Sequence, residues 1–161
     1  MPSPQTLTPL LATPEAFQPY GQVILPSSDG KPFDLDDAQL VLAPGTPRFY
    51  IMRLSHKGRR FHRITRHQRC SQCLGSLGGL AWWLAVCPPS LGDRPDRSQL
   101  QVFTVPGDRF LKLNPGTWHA GPLFEAESMD FYNLELSDTN LTDHFTHDFK
   151  ALDGIEFEIA G

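Results

Sequence analysis

The sequence predicts an all-β protein: a barrel or sandwich of short strands with few, short helices. Fifteen prolines and thirteen glycines in 161 residues favour many turns over long helices. Strand-like runs recur at roughly ten-residue spacing, the arrangement of sandwiches and barrels. One of them, residues 129–136 (Met-Asp-Phe-Tyr-Asn-Leu-Glu-Leu), alternates with the two-residue period of a strand.

The elements follow in order. Residues 1–13, rich in Pro, Ser and Thr, predict an extended tail or edge. Thr13-Pro14-Glu15-Ala16-Phe17 predicts a short helix with Thr13 as N-cap and Pro14 at the first helical position, where its missing N–H costs nothing. Tyr20-Gly21-Gln22-Val23-Ile24 reads as a turn into a strand, and residues 26–37 as a loop. Residues 48–54 and 61–65 are strand-like. Residues 79–87 predict a buried strand stopped by Pro88-Pro89, because proline cannot donate to the ladder. A loop follows over 93–98. Residues 100–105 and 110–113 are short strands around a Pro106-Gly107-Asp108 turn. The alternating strand 129–136 leads to a helical turn within 138–149 and a last strand over 155–159. With no internal repeat and no linker, a single domain spanning residues 1–161 is expected, enough chain for one core.

Composition bounds the setting. The hydrophobic fraction is 40% and the charged fraction 20%, as in an ordinary globule. No apolar run approaches the ~18 residues of a membrane span, and no basic start followed by an apolar stretch marks a secretory leader. Three cysteines give no even disulfide framework, which predicts a cytoplasmic protein. The net charge of −4 conceals an asymmetry: residues 38–92 hold no Asp or Glu but carry Arg48, Arg53, Lys57, Arg59, Arg60, Arg63, Arg66 and Arg69. Such a segment attracts a small anion, or else pairs with the acidic remainder of the chain. Phe61 within the basic stretch 56–69 fits an edge strand better than a nucleic-acid surface in a net-negative chain.

Two blocks of residues carry the candidate chemistry. The first places four residues between His67 and Gln72 and six between Gln72 and Gly79; the second is Pro115-Gly116-Thr117-Trp118-His119. Their spacing resembles the paired signature of a cupin, a double-stranded β-helix or jelly-roll barrel whose two motifs aim side chains at one metal or substrate. Thr65 stands where the first His of that signature is usual, and Gln72 where Glu is usual. His67, Gln72 and His119 are thus the candidate metal ligands: imidazole nitrogen suits Ni, Zn, Fe, Cu or Mn, and an amide oxygen is a weaker, neutral donor. For His67 the competing reading is a surface residue in a basic stretch; His119 follows a tight turn that aims it. The single Cys70-x-x-Cys73 lacks the second pair or βαβ context of a zinc or redox motif. His144 and His147 would share one solvated helix face. Trp82-Trp83 would point one ring inward and one outward.

The chain also resembles the ureidoglycolate lyase family, a cupin-fold family, over most of its length. The residues that carry the resemblance run from Ala16-Phe17-Gln18-Pro19-Tyr20-Gly21-Gln22-Val23-Ile24, through Arg66-His67 and Gln72, to Gly116-Thr117-Trp118-His119-Ala120-Gly121-Pro122-Leu123 and Asp130-Phe131. The resemblance implies release of urea from ureidoglycolate to give glyoxylate in allantoin (purine) breakdown, a homodimer, and one divalent metal such as Ni, Zn or Mn. Asn114 and Ala120 stand where family members often carry His.

That chemistry needs a base for the hydroxyl proton and a proton for the departing urea nitrogen, and no side-chain nucleophile. A metal, or Arg and Lys, would hold the substrate carboxylate. Lys112 and His119 are the acid/base candidates, and Arg53, Arg66 and Trp118 the substrate-binding ones. In a strand, Arg66 would face away from its neighbour His67, which favours Arg53. Expected partners are a small anionic substrate and a second copy of the chain, with neither nucleic acid nor membrane. The alternatives are a non-catalytic cupin binding a small carboxylate or metal, which ligand would stabilise without turnover, and another cupin enzyme such as an isomerase or oxygenase.

Overall fold

In the computed structural model, which describes residues 2–161, the regular structure is mostly short strands. In order these are β1 (Gln5–Leu7), β2 (Leu10–Leu11), helix α1 (Pro14–Phe17), β3 (Gly21–Ile24), β4 (Pro47–Ser55), β5 (Arg60–Phe61), β6 (Arg63–Arg66), β7 (Gln72–Ser76), β8 (Trp82–Cys87), β9 (Gln101–Val105), β10 (Phe110–Leu113), β11 (Trp118–Leu123), β12 (Ser128–Leu136), α2 (Thr139–Thr142), β13 (Phe145–Asp148), α3 (Phe149–Asp153) and β14 (Phe157–Ile159). Helix α1 starts as its sequence dictates: the Thr13 hydroxyl accepts the Ala16 N–H at 3.2 Å, with Pro14 behind it. None of the helices among the described residues is long and apolar enough to cross a membrane.

The strands assemble into three layers. A five-stranded sheet ordered β3-β10-β7-β12-β4 faces a six-stranded sheet ordered β13-β6-β11-β8-β9-β2. Val23, Leu74, Leu111, Leu113, Met129 and Phe131 from the first meet Trp82, Leu84, Val86, Phe103 and Val105 from the second in the main core. A small sheet, β1-β14-β5, covers the other side of the six-stranded sheet. There Phe61, Phe157 and Ile159 join Phe149 of α3 against Ile64, Ala85, Val102, Trp118 and Ala120. Both faces of the six-stranded sheet are therefore buried, and successive residues along β8 and β11 enter different cores. This is the expected all-β, cupin-type architecture.

Most elements fall where the sequence places them. The N-terminal segment expected as a tail or edge supplies edges in its described part, with β1 parallel to β14 and β2 parallel to β9. Trp82 packs in the main core while half-buried Trp83 lies on the opposite face. Three strands were not among the predicted runs. Every residue of β7 is buried, because it lies between β10 and β12 with both faces covered, so no period of two marks it. Strand β11 contains Gly121-Pro122, and its pairing with β8 shifts register there, a bulge where a breaker would be read. The helical turn expected within 138–149 is the four-residue α2, but the shared helix face expected of His144 and His147 is corrected: His144 follows the helix and His147 lies in β13, paired antiparallel with β6.

Gly21 is a close-approach position. Its φ is +157°, and a Cβ there would overlap the Lys112 carbonyl oxygen of the neighbouring strand β10. Phe157 holds the third layer in place: it is 1% exposed, stacks on Phe61 with ring centroids 5.2 Å apart, and meets Phe149 edge-on at 5.0 Å. Phe157→Ala is expected to lower unfolding free energy by about 3–5 kcal/mol, read as a reduced denaturant midpoint.

Candidate functional site

Three segments bring the motif residues to one end of the main core. Thr65 pairs with His119 across β6 and β11, so the chain leaving β6 carries His67 to the same end. Gln72 opens β7 opposite Leu113 of β10. His119 lies between Trp118 and Ala120, which enter the outer core, so its imidazole enters the interior of the sandwich. The Gly116 N–H donates to the His67 carbonyl at 2.7 Å, and the Thr117 hydroxyl donates to the Tyr20 carbonyl at 2.8 Å. The first bond fastens the second motif block to the first, and the other ties it to the segment entering β3. His67, Gln72 and His119 line one narrow, closely packed cavity with Cys70, Leu113, Asn114 and Thr117. The His67 and His119 ring centroids are 5.2 Å apart, and exposed His144 stands 5.6 Å from His67.

Both buried imidazoles are held neutral. Burial lowers the His67 pKa, against the opposing influence of the Asp143 carbonyl and the Glu135 charge. Burial, and then the neighbouring His67, push His119 down to about 3. His67 Nδ1 lies 2.6 Å from the Asp143 carbonyl oxygen, so it donates there and Nε2 keeps its lone pair. His119 Nδ1 and Gln72 Oε1 are buried without any hydrogen-bond partner, a costly state unless another group completes them.

A polar ladder runs from this cavity across the inner face of the five-stranded sheet. Gln72 Nε2 donates to Asn133 Oδ1 at 2.9 Å, Asn133 Nδ2 donates to Tyr50 Oη at 3.2 Å, and Tyr50 donates to Glu135 Oε1 at 3.5 Å. Asn133 and Glu135 are 1% and 2% exposed. Tyr50, Asn133 and Glu135 were not singled out from the sequence, and His144 was read there only as part of a solvated helix face. A signal was present in β12, where the phase occupied by core residues Met129 and Phe131 continues as Asn133 and Glu135, placing polar groups at buried positions.

The other predicted site residues are not brought to the cavity. Lys112 alternates with core residues Leu111 and Leu113 and so leaves the opposite face of its sheet; it touches the site only by donating to Asn114 Oδ1 at 2.7 Å. Its burial lowers its pKa. Arg66 and Trp118 both lie on the outer-core face of the six-stranded sheet. The Arg66 guanidinium sits 4.4 Å over the Trp118 ring and donates to the Ser90 and Gly92 carbonyls. Arg53 lies on the outer face of β4, where it grips both carboxylate oxygens of Asp130.

The acid-free segment is largely paired with the acidic half. Besides Arg53–Asp130 it forms Arg59–Glu125, Arg60–Glu158, Arg63–Asp148 and Arg69–Asp138. The cysteines are all buried and free, and burial raises the Cys73 and Cys87 thiols to about 12, which makes them poor nucleophiles. A larger concavity lies elsewhere, between α1, β3 and the loop that follows it, and contains none of the predicted site residues.

Two neutral imidazoles and an unpartnered amide oxygen form a donor set compatible with a borderline divalent ion. No group of three His, Cys, Asp or Glu among the described residues is arranged to hold one, so such a set depends on Gln72.

The neutral burial of His119 has a stability consequence. Its folded pKa lies below the ordinary 6.5. Below pH 6.5 the unfolded chain therefore takes up a proton that the folded chain refuses, and stability falls as pH drops toward about 3. In metal-free buffer, the loss of unfolding free energy between pH 7 and pH 5 should be smaller in His119→Asn than in the parent by about 2 kcal/mol.

Residues 4–151 match the family model described as ureidoglycolate lyase. No curated protein matches the chain. With the cupin-type fold and both motif blocks meeting at one end of the sandwich, the match over nearly the whole length establishes that this chain belongs to the ureidoglycolate lyase family.

Proposed function

We propose that the protein cleaves ureidoglycolate to glyoxylate and urea, at the end of the sandwich that holds His67, Gln72 and His119. The observation that carries the location is the convergence there of neutral imidazoles and unpartnered acceptors, in a chain whose family is one of lyases. The substrate is a carbinolamine. Its breakdown moves the hydroxyl proton to a base, closes a carbonyl as the carbon–nitrogen bond breaks, and returns a proton to the urea nitrogen.

His67 Nε2 is the base in this reading. Its ring is fixed by the Asp143 carbonyl, and it is neutral at ordinary pH. His144, exposed and beside His67, supplies the proton taken by the nitrogen, and the one held by His67 replaces it. Gln72 Oε1 and His119 Nδ1 accept hydrogen bonds from the substrate, and Lys112 positions Asn114 behind them. A Ni, Zn or Mn ion held by His67, Gln72 and His119 would supply Lewis acidity at the substrate oxygen in place of proton removal by His67. The cytoplasmic setting is supported by the three free cysteines.

A homodimer is part of the same reading, supported by the free edge of β4. That nine-residue strand has no strand partner on its outer side among the described residues and exposes Phe49 and Ile51 by 70% and 63%. An antiparallel edge of this kind can pair with its own copy about a two-fold axis.

Purified protein incubated with racemic ureidoglycolate should release glyoxylate and urea in equal amounts, with and without added Ni²⁺, Zn²⁺ or Mn²⁺ deciding the role of the ion. His67→Gln should lower kcat/KM by about 100-fold or more. The parent's kcat/KM should hold level down to pH 6.5 and fall at lower pH as His67 protonates. Absence of glyoxylate under every metal condition would overturn the assignment. Light scattering should give twice the chain mass for the parent and the single-chain mass for Ile51→Lys.

A further inference from the structure

The inner face of β4 and β12 carries a pair of charges that the preceding mechanism does not use. Arg48 and Glu135 are directly opposite each other in the antiparallel ladder, and Tyr50 and Asn133 are opposite on the next rung of the same face. Opposite residues of opposite charge would ordinarily pair, yet no ion pair joins Arg48 to any acid among the described residues. Its guanidinium instead lies 3.7 Å above the Tyr50 ring. Glu135 is 2% exposed, and its one hydrogen bond is the 3.5 Å contact from Tyr50, at the long limit of such a bond. A buried carboxylate and a cation with no anion thus stand on one rung, each short of a partner. The hydrogen-bonded series Gln72–Asn133–Tyr50–Glu135 ties them to the histidine cavity.

We propose that Arg48 and Glu135 are the substrate-orienting pair of this site, Arg48 receiving a substrate carboxylate and Glu135 receiving the two parallel N–H groups of a ureido substituent. The proposal rests on the lyase reading and names how that site selects its substrate. The chemistry is complementary at both ends. A guanidinium presents paired donors to a carboxylate, and a ureido group presents paired N–H donors to a carboxylate acceptor. Cβ atoms on one rung are about 5 Å apart, which suits a ligand whose two ends are separated by one carbon. Tyr50 links the two, holding Arg48 over its ring and Glu135 through its hydroxyl. Specificity for a ureido acid over a simple hydroxy acid then follows from the carboxylate of Glu135, which a ligand without N–H groups leaves unpaired and repels.

The test uses binding rather than turnover, so that it stands apart from the lyase assignment. The probes are N-carbamoylglycine, which has both the carboxylate and the ureido group but no hydroxyl to react, and oxalate, which has no ureido group. Calorimetric titration of the parent should show N-carbamoylglycine binding more tightly than oxalate. Arg48→Gln should weaken both by about tenfold or more. Glu135→Gln, which keeps the shape, should weaken N-carbamoylglycine by about tenfold while leaving oxalate unchanged or tighter. Arg48→Lys should recover part of the affinity for both, and melting curves identify any variant that has lost its fold. Parent protein that binds neither probe, or variants that bind both as the parent does, would overturn the proposal. Equal weakening of both probes by Glu135→Gln would also overturn it, by assigning Glu135 a structural role alone. Failure of glyoxylate release with this binding pattern intact would remove the lyase reading and leave the orienting pair standing.

Discussion

Burial of both faces of the six-stranded sheet is the constraint on which the site depends. A strand covered on one side only can leave alternate residues in water. Here β11 has a core on either side, so every side chain must be accommodated within the protein. Trp118 takes the outer core and His119 the inner one as a consequence of the two-residue period. The same alternation carries Arg66 outward beside Trp118 while Thr65 and His67 stay on the inner side. A one-residue slip would exchange a guanidinium and an indole for two imidazoles. The register is fixed by clamps at the cavity itself, chiefly the bond from Gly116 to the His67 carbonyl.

That arrangement explains which parts of the fold and site were legible in the sequence. The two motif blocks could be read because tight turns and fixed spacing place residues locally. His67, Gln72 and His119 each lie within two residues of a strand end or a turn. What could not be read was which face of a sheet a cation occupies. Lys112 and Arg53 are separated from the cavity by the five-stranded sheet, and Arg66 by the six-stranded one. Charge alone does not reveal a face: Arg48 and Arg53 belong to one strand, but five positions apart they point to opposite sides. Phase against the apolar residues was the available guide. Met52 and Leu54, which pack against the main core, share the phase of Arg48 and Tyr50. Strand β7 stayed hidden for a related reason: complete burial on both faces removes the alternation by which strands are recognised.

The polar interior is unusual in how it is satisfied. Buried amides and carboxylates are normally matched by protein partners, and along Gln72, Asn133 and Tyr50 they are. The series ends with unfilled capacity at both ends, at Gln72 Oε1 near the histidines and at Glu135 on the far rung. A rigid row of bonds with vacant acceptors at its two termini is preorganised: its own geometry is set before any ligand arrives, so little ordering remains to be done on binding.

The ion pairs that spread over the surface join the two ends of a charge gradient along the chain. Thirteen of the fourteen Lys and Arg residues precede residue 121, whereas ten of the eighteen Asp and Glu residues follow it. The first 120 residues of the sequence therefore sum to +5, and all 161 to −4. Glu125, Asp130, Asp138, Asp148 and Glu158, the partners of five arginines in the earlier segment, all lie in the last quarter of the sequence. The running charge of the sequence stays positive from Arg60 through Glu135, so β12 and the elements after it bring the acids that neutralise the arginine-rich strands before them.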